Sequence, residues 1–212
     1  KTTGQMRQVA GKSKVVPIFP YSSILIPTGA EWLNIFEMKH RMLLSDVNDM
    51  PDEGGLFGFS YYSASQQKIA LIGTLAKVTN RKLLDDGRVF VTVEGVKKFY
   101  IEEFTAENPY LKARVRLLND YTEFQDSSEL DALEEAVFTE LRTNMNLMTH
   151  IFPSKNYKVS EKILRYRPSS ISSRIGDRVV KMTTEAQEMA RREKFSYAVL
   201  DMLQVSSSTK LR

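Results

Sequence analysis

The chain has 212 residues, 42% of them hydrophobic and 26% charged, the proportions of an ordinary globular protein. It contains no cysteine, which excludes disulfides, thiolate metal sites and a thiol nucleophile, and no apolar run approaches the roughly 18–20 residues that span a bilayer. The net charge of +4 is uneven: residues 1–14 carry four basic residues and no acid, 15–154 carry 13 basic and 20 acidic, and 155–212 carry 13 basic and 6 acidic. Solvated faces account for charge of either sign; the sharper reading is a basic tail that meets an acidic partner or docks on the acidic body.

Residues 1–14 lack apolar periodicity and read as a flexible basic arm. Pro17 starts the ordered region, and the β-type stretch "VPIFPYSSILIP" is cut by Pro20 and Pro27; prolines inside such runs suit edge positions or strand ends. Pro27-Thr28-Gly29 is a turn. In "EWLNIF" Trp32, Asn34 and Phe36 alternate with Leu33 and Ile35. The period then changes to a helix over 37–48, with Met38, Met42 and Leu43 on one face. "MPDEGG" is a loop. "LFGFSYY" and "IALIGTLAKVTNRKLL" are strands, and Asp85-Asp86-Gly87 is a hairpin signal, because Gly after Asp supplies the positive φ of a tight turn. Beyond it Val89, Val91 and Val93 alternate against Phe90, Thr92 and Glu94. "VKKFYIEEF" continues the sheet, and in "YLKARVRLL" Leu111, Ala113, Val115 and Leu117 alternate with charges. So many short strands predict a mainly antiparallel sheet or a small barrel over 15–121.

From 122 onward the chain is helical. "DSSELDALEEAVFTELRTNMNLMTHIFP" carries a Ser cap, an apolar series of Leu130, Leu133, Val137, Leu141 and Met148, and a stop at Pro153. Three more helices follow, in "VSEKILRYRP", "SSISSRIGDRVVKM" and "TTEAQEMARREKFSYAVLDMLQV", the last with Met189, Phe195, Val199, Met202 and Leu203 on its apolar side.

The opening stretch, with Phe36-Glu37-Met38-Lys39-His40-Arg41 leading a helix, resembles the N-terminal substrate-binding domain of Lon proteases. That family places Phe-Glu-Pro-Arg-Tyr-Arg here, so Phe36, Glu37 and Arg41 match while Met38, Lys39 and His40 depart. "IGTLAKVTNRKLLDDGRVFVTVEGVKKFYI", "ENPYLKARVRLLND" and "REKFSYAVLDML" resemble further blocks of the family in the same order. The resemblance implies an α+β fold: a PUA-like twisted antiparallel β-barrel followed by a C-terminal α-helical bundle. Full Lon proteases also carry an ATPase with a G-x-x-x-x-G-K-[ST] loop and a Ser–Lys peptidase. No such loop is present, since the only adjacent glycines, Gly54-Gly55, lead into Leu56. Either a stand-alone Lon-domain protein or the recognition fragment of a full protease is expected.

No catalytic residue, metal site or cofactor is expected. His40 has no ligating residue nearby on its face, and His150 suits a helix C-terminus, where a cation meets the carbonyl end. The acid pairs Asp85-Asp86, Glu102-Glu103 and Glu134-Glu135 are adjacent and point different ways, poor geometry for paired acid–base work. Lys97-Lys98-Phe99-Tyr100 mixes basic and aromatic residues as nucleic-acid platforms do, but strand alternation divides it between two faces. The resulting expectation is a non-enzymatic protein-binding module, an adaptor or assembly subunit that meets other proteins or unfolded polypeptide, with an RNA-binding PUA-like protein as the alternative. Aromatics suit such surfaces because they give contact area at small entropic cost. Contact is assigned to Trp32, Tyr61, Tyr62 and the hairpin tip 83–88 with Leu83, Leu84 and Arg88. The acid-free start resembles what remains after a transit peptide is cut, so a plastid (chloroplast) is expected, with a mitochondrial or bacterial cytoplasmic location as the alternative.

Overall fold

The computed structural model describes residues 13–48, 55–118, 127–155, 157–166 and 185–203. These form two compact units that divide between Asn119 and Asp120. No described helix is long and apolar enough to cross a membrane. The helix expected at 169–182, and the basic arm before Ser13, lie outside the described residues.

The first unit runs β1 (Lys14–Tyr21), β2 (Ala30–Ile35), α1 (Met38–Asn48), β3 (Leu56–Ser63), β4 (Lys68–Leu83), β5 (Val89–Ala106) and β6 (Lys112–Leu117). The strands pair in the order β2-β5-β4-β3-β1-β6, and β6 pairs again with β5, so the ladder returns on itself. β5 makes this possible by its length of 18 residues. Its first part, from Val89 to Glu94, pairs with β2, and its second part, from Phe99 to Ala106, pairs with β6. In the β4–β5 pair one register shift, at Leu75/Ala76, falls between these two halves, and a second, at Val78/Asn80, falls within the half that pairs with β2.

The sheet is mainly antiparallel, as the strand pattern suggested, with one exception: β1 and β3 run parallel, with Ile18 opposite Gly58 and Tyr21 opposite Tyr61. Parallel neighbours need a long crossover rather than a hairpin. Residues 22–55 supply it, carrying β2 and α1 on the way. β1 also changes partner midway, lying against β6 from Lys14 to Pro17 and against β3 from Ile18 to Tyr21. Each half therefore has a strand mainly on one side, and a one-sided strand tolerates Pro17 and Pro20.

Alternation decides which side chains go in. Leu33 and Ile35, and Val89, Val91 and Val93, join Phe19, Phe57, Phe59, Leu43, Leu44 and Val47 in one buried cluster. Val16, Ile18, Leu75, Phe99, Ile101, Ala113 and Val115 form a second. In α1 the buried face is Leu43, Leu44 and Val47, whereas Met38 and Met42 are exposed. Of the expected Met38, Met42 and Leu43 face only Leu43 is buried: the stripe i, i+1, i+4 at 43, 44 and 47 offers three branched aliphatics and wins the core.

Two backbone devices position the strands. At the hairpin, Gly87 has φ +80°, its N–H donates to Leu84 O, and Leu84 N–H donates to Arg88 O. At the start of β2, the turn through Ile26–Gly29 lies directly on β5: Thr28 N–H donates to Gly95 O at 2.8 Å and Gly95 N–H to Gly29 O at 2.9 Å. Thr74 Oγ1 donates to Leu25 O from β4 at 2.7 Å. A Cβ at position 95 would stand 2.1 Å from Ile26 O, so only glycine permits this approach.

In the second unit, α2 (Ser127–Ile151), α3 (Glu161–Tyr166) and α4 (Glu185–Met202) share a core of Phe138, Leu141, Ile163, Phe195 and Ala198. Leu133, expected on the apolar face, is exposed, and Glu134 is buried in its place. The reason is Arg191, whose guanidinium donates to Glu134 at 2.7 Å and to Glu188 at 2.6 Å. Arg192 donates to Asp131 at 2.7 Å. The Arg191 hydrogen bond, followed by lesser effects of Arg192, holds the Glu188 carboxyl below its ordinary value. A carboxylate depressed in the folded state stabilises fully above its unfolded pKa of 4.5, and that contribution is lost as pH falls through the lower folded value.

Two substitutions test these points. Gly95→Ala is expected to destabilise the sheet unit by about 2–3 kcal/mol, through a forced backbone shift, read as a lower urea midpoint by circular dichroism. Arg191→Ala is expected to cost the helical unit on the order of 3 kcal/mol by stranding the buried Glu134 carboxylate. The double replacement Glu134→Leu with Arg191→Met recovers most of that loss in the 222 nm melting curve.

Candidate functional site

The sites assigned from sequence fall in two places. Trp32 lies on β2, opposite Thr92 of β5, which in turn faces Asn80 of β4; Ile35, Val89 and Leu83 line up in the same way. Trp32 and the hairpin tip therefore belong to one three-stranded arm. Trp32 is 76% exposed and Leu83 68%, while Leu84 is half-buried and Arg88 exposed. Tyr61 and Tyr62 sit elsewhere, on β3, where Tyr62 faces Ile69 at the other end of β4. Both are half-buried, and their neighbours Phe57 and Phe59 belong to the core.

The outward face of the arm is apolar and aromatic. Trp32 is diagonal to Phe90 across the β2–β5 ladder, and both are exposed, as are Phe36 at the end of β2 and Met38 at the start of α1. Alternation set Phe36 with Trp32, and Phe90 against Val89 and Val91, but neither they nor Met38 were assigned to contact. The tip is held by Arg41 of α1, whose Nη1 donates to Gly87 O at 2.9 Å and whose Nη2 contacts Met38 Sδ at 3.9 Å. Nothing in the local pattern ties residue 41 to residue 87. At the tip, the backbone N–H and the guanidinium of Arg88 donate to Asp86 at 3.0 and 2.7 Å and lower its pKa.

A small cleft of about 100 Å³ opens between β1 and α1, lined by Ile18, Pro20, Lys39, His40, Glu107, Tyr110 and Leu111. The His40 ring lies 4.5 Å from the Phe19 ring, and Nδ1 is 3.8 Å from Glu37. Burial lowers its pKa, opposed by the Glu37 charge. Tyr110 donates to Asp46 at 2.6 Å; burial, then that hydrogen bond, pushes its pKa up to about 12, so it acts here as a fixed donor.

For a metal, Asp131, Glu134 and Glu188 bring ligand atoms within 4.8 Å of one another. Their oxygens already accept from Arg191 and Arg192, so the cluster reads as an ion-pair network. The "KKFY" segment offers no stacking platform: Phe99 is fully buried, and the Arg116 guanidinium covers Tyr100 at 5.7 Å.

The geometry thus defines a returning sheet with a projecting aromatic arm and no assembled catalytic constellation among the described residues. Residues 15–212 match the family model of the ATP-dependent protease La (LON) substrate-binding domain, and the chain belongs to that family. The matched region is the family's non-catalytic domain. Among curated relatives, the Lon protease of Amoebophilus asiaticus is 29% identical over 106 residues, 47% of this chain and 13% of that protein. The Lon protease of Rhizobium meliloti is 27% identical over 151 residues, 71% of this chain and 17% of that protein. The chain thus spans a small fraction of these relatives. Among solved structures, the N-terminal domain of the Mycobacterium avium complex Lon protease has a TM-score of 0.48 at 14% identity, covering 91% of this chain and all of that one. A Lon N-terminal domain protein from Xanthomonas campestris has a TM-score of 0.46 at 21% identity, covering 59% and 72%.

The cleft yields a pH prediction. A histidine whose folded pKa is depressed stabilises the fold above its unfolded value of 6.5, and this is lost as pH falls through the folded value. The melting temperature is expected to drop between pH 7.5 and roughly pH 5. His40→Phe, which keeps an aromatic ring on Phe19, flattens that part of the profile.

Proposed function

We propose that the chain is a polypeptide-recognition module that binds other proteins in non-native or extended form through the aromatic arm, without catalysing a reaction itself. In this reading it serves as an adaptor, or as the recognising subunit of a larger assembly. The observation that carries the proposal is the exposure of Trp32 and its diagonal neighbour Phe90, extended by Phe36, on a member of the LON substrate-binding family. Large aromatic side chains left in water on a rigid sheet cost solvation and return it on contact. The returning ladder of β5, β4, β3, β1 and β6 is, we infer, the PUA-like barrel, with the three described helices part of the bundle. RNA binding is disfavoured by the burial of Phe99.

The test uses fluorescein-labelled, reduced and carboxymethylated α-lactalbumin. Anisotropy is expected to rise on titration with the full chain, and Trp32→Ala to weaken binding at least tenfold, about 1.4 kcal/mol. Absence of binding, or steeply salt-dependent binding of mixed RNA in its place, overturns the proposal.

A further inference from the structure

Among the described residues the three-stranded arm has two edges without a further strand, and they differ in chemistry. β3 pairs with β4 only as far as Lys77, so from Thr79 to Leu83 β4 has a strand partner on one side alone, β5. That edge carries Arg81 and Lys82, both exposed; charged edge residues are a common way of preventing strand pairing. β2 likewise pairs only with β5, but its residues are Ala30, Glu31, Trp32, Leu33, Asn34 and Ile35. Its one carboxylate is engaged, with Oε2 accepting from Ser23 Oγ at 2.8 Å and Oε1 from Trp32 N–H at 3.1 Å. Neutral donors leave that carboxylate charged but tie it back along its own strand, so the β2 edge carries one held anion and no cation.

Register fixes which backbone groups that edge offers. Gly95 N–H donates to Gly29 O, and the pairing steps from Ala30↔Glu94 to Ile35↔Val89 without a shift. In an antiparallel ladder this turns the N–H and C=O of Glu31, Leu33 and Ile35 toward β5, and those of Ala30, Trp32 and Asn34 to the open side. The Trp32 amide bears this out, since its partner is a side-chain oxygen of the preceding residue rather than a strand carbonyl.

We propose that β2 is a strand-addition site: an extended, uncharged segment of a partner polypeptide pairs antiparallel with β2 through the outward groups of Ala30, Trp32 and Asn34, and sets an apolar side chain beside Trp32. This rests on, and deepens, the polypeptide-recognition reading. Backbone pairing supplies affinity with little sequence demand, and the aromatic neighbour supplies selection. An edge with no cation, whose one carboxylate repels acidic residues and is already held by Ser23 and the Trp32 amide, accepts an uncharged segment. A second copy is a poorer occupant, because one six-residue strand buries far less than the roughly 1,200 Å² of a stable interface.

The geometry makes an asymmetric demand on the ligand. A partner residue opposite Trp32 shares its face and directs its own N–H at β2, while the alternate residues direct theirs away. The probe is a dansylated octapeptide alternating Thr with Phe or Val, titrated into the full chain and read by dansyl anisotropy. N-methylation of the Phe and Val amides is expected to weaken binding at least tenfold; N-methylation of the Thr amides leaves it within about twofold. Asn34→Pro, which removes an outward donor where proline is tolerated, weakens the unmodified peptide to a similar extent with an unchanged circular dichroism spectrum. If both methylated peptides bind like the parent, or the parent fails while carboxymethylated lactalbumin binds, strand addition is wrong and polypeptide recognition stands. If neither the peptide nor lactalbumin binds, both fall. A concentration-dependent dimer in sedimentation, lost in Asn34→Pro, assigns the edge to a second copy and overturns the proposal.

Discussion

The missing side chain at position 95 is the constraint on which the rest of the sheet unit depends. Because nothing projects there, the turn before β2 rests on the β5 backbone, with Thr28 and Gly29 hydrogen-bonded to Gly95 on either side of the contact. Thr74 closes the same turn from β4 by holding Leu25 O. That contact sets where β2 enters the ladder, and a strand's entry point sets its faces: a slip of one residue exchanges every inward side chain for an outward one. With the observed register Leu33 and Ile35 are buried and Trp32 is in water. The aromatic arm is thus a consequence of how closely two backbones meet.

The sheet unit solves a second problem by length. A strand of ordinary size serves one set of neighbours, whereas the 18 residues of β5 complete the returning ladder with one half and support the arm with the other. The arm is the part of the sheet with open edges, and the chain protects only one of them with cations. An edge left without cations beside an exposed tryptophan is a hazard in a protein that binds nothing; under the strand-addition proposal it is the surface that takes up the partner.

Much of this was legible from sequence where the physics is local. The alternation of Val89, Val91 and Val93, the inward Leu33 and Ile35, and the turn at Gly87 all follow from period and turn chemistry, as does the helix described over Ser127–Ile151. What escaped depends on residues far apart in the chain. The parallel β1–β3 pair is decided by a crossover of more than 30 residues, and the latch from Arg41 to Gly87 O spans an interval no pattern encodes. Helical spacing set Met38, Met42 and Leu43 on one face, but of these only Leu43 is buried, beside Leu44 and Val47. Leu133 yielded its place to Glu134 only because Arg191, on another helix, supplies the countercharge. For the candidate site, Trp32 and Leu83 were assigned from sequence and share the arm. Tyr61 and Tyr62 were assigned with them and lie at the far end of β4, since aromatic content alone does not reveal which strand a residue will neighbour.

Residue-resolved amide exchange by NMR, on the full chain with and without the alternating octapeptide, tests the central claim most directly. The account predicts new protection at Trp32 and Asn34, whose amides face the open side, with Glu31, Leu33 and Ile35 already slow and unchanged. Protection gained on the β4 edge at Arg81 and Lys82 instead, or none gained along β2 while the peptide is bound, would contradict it.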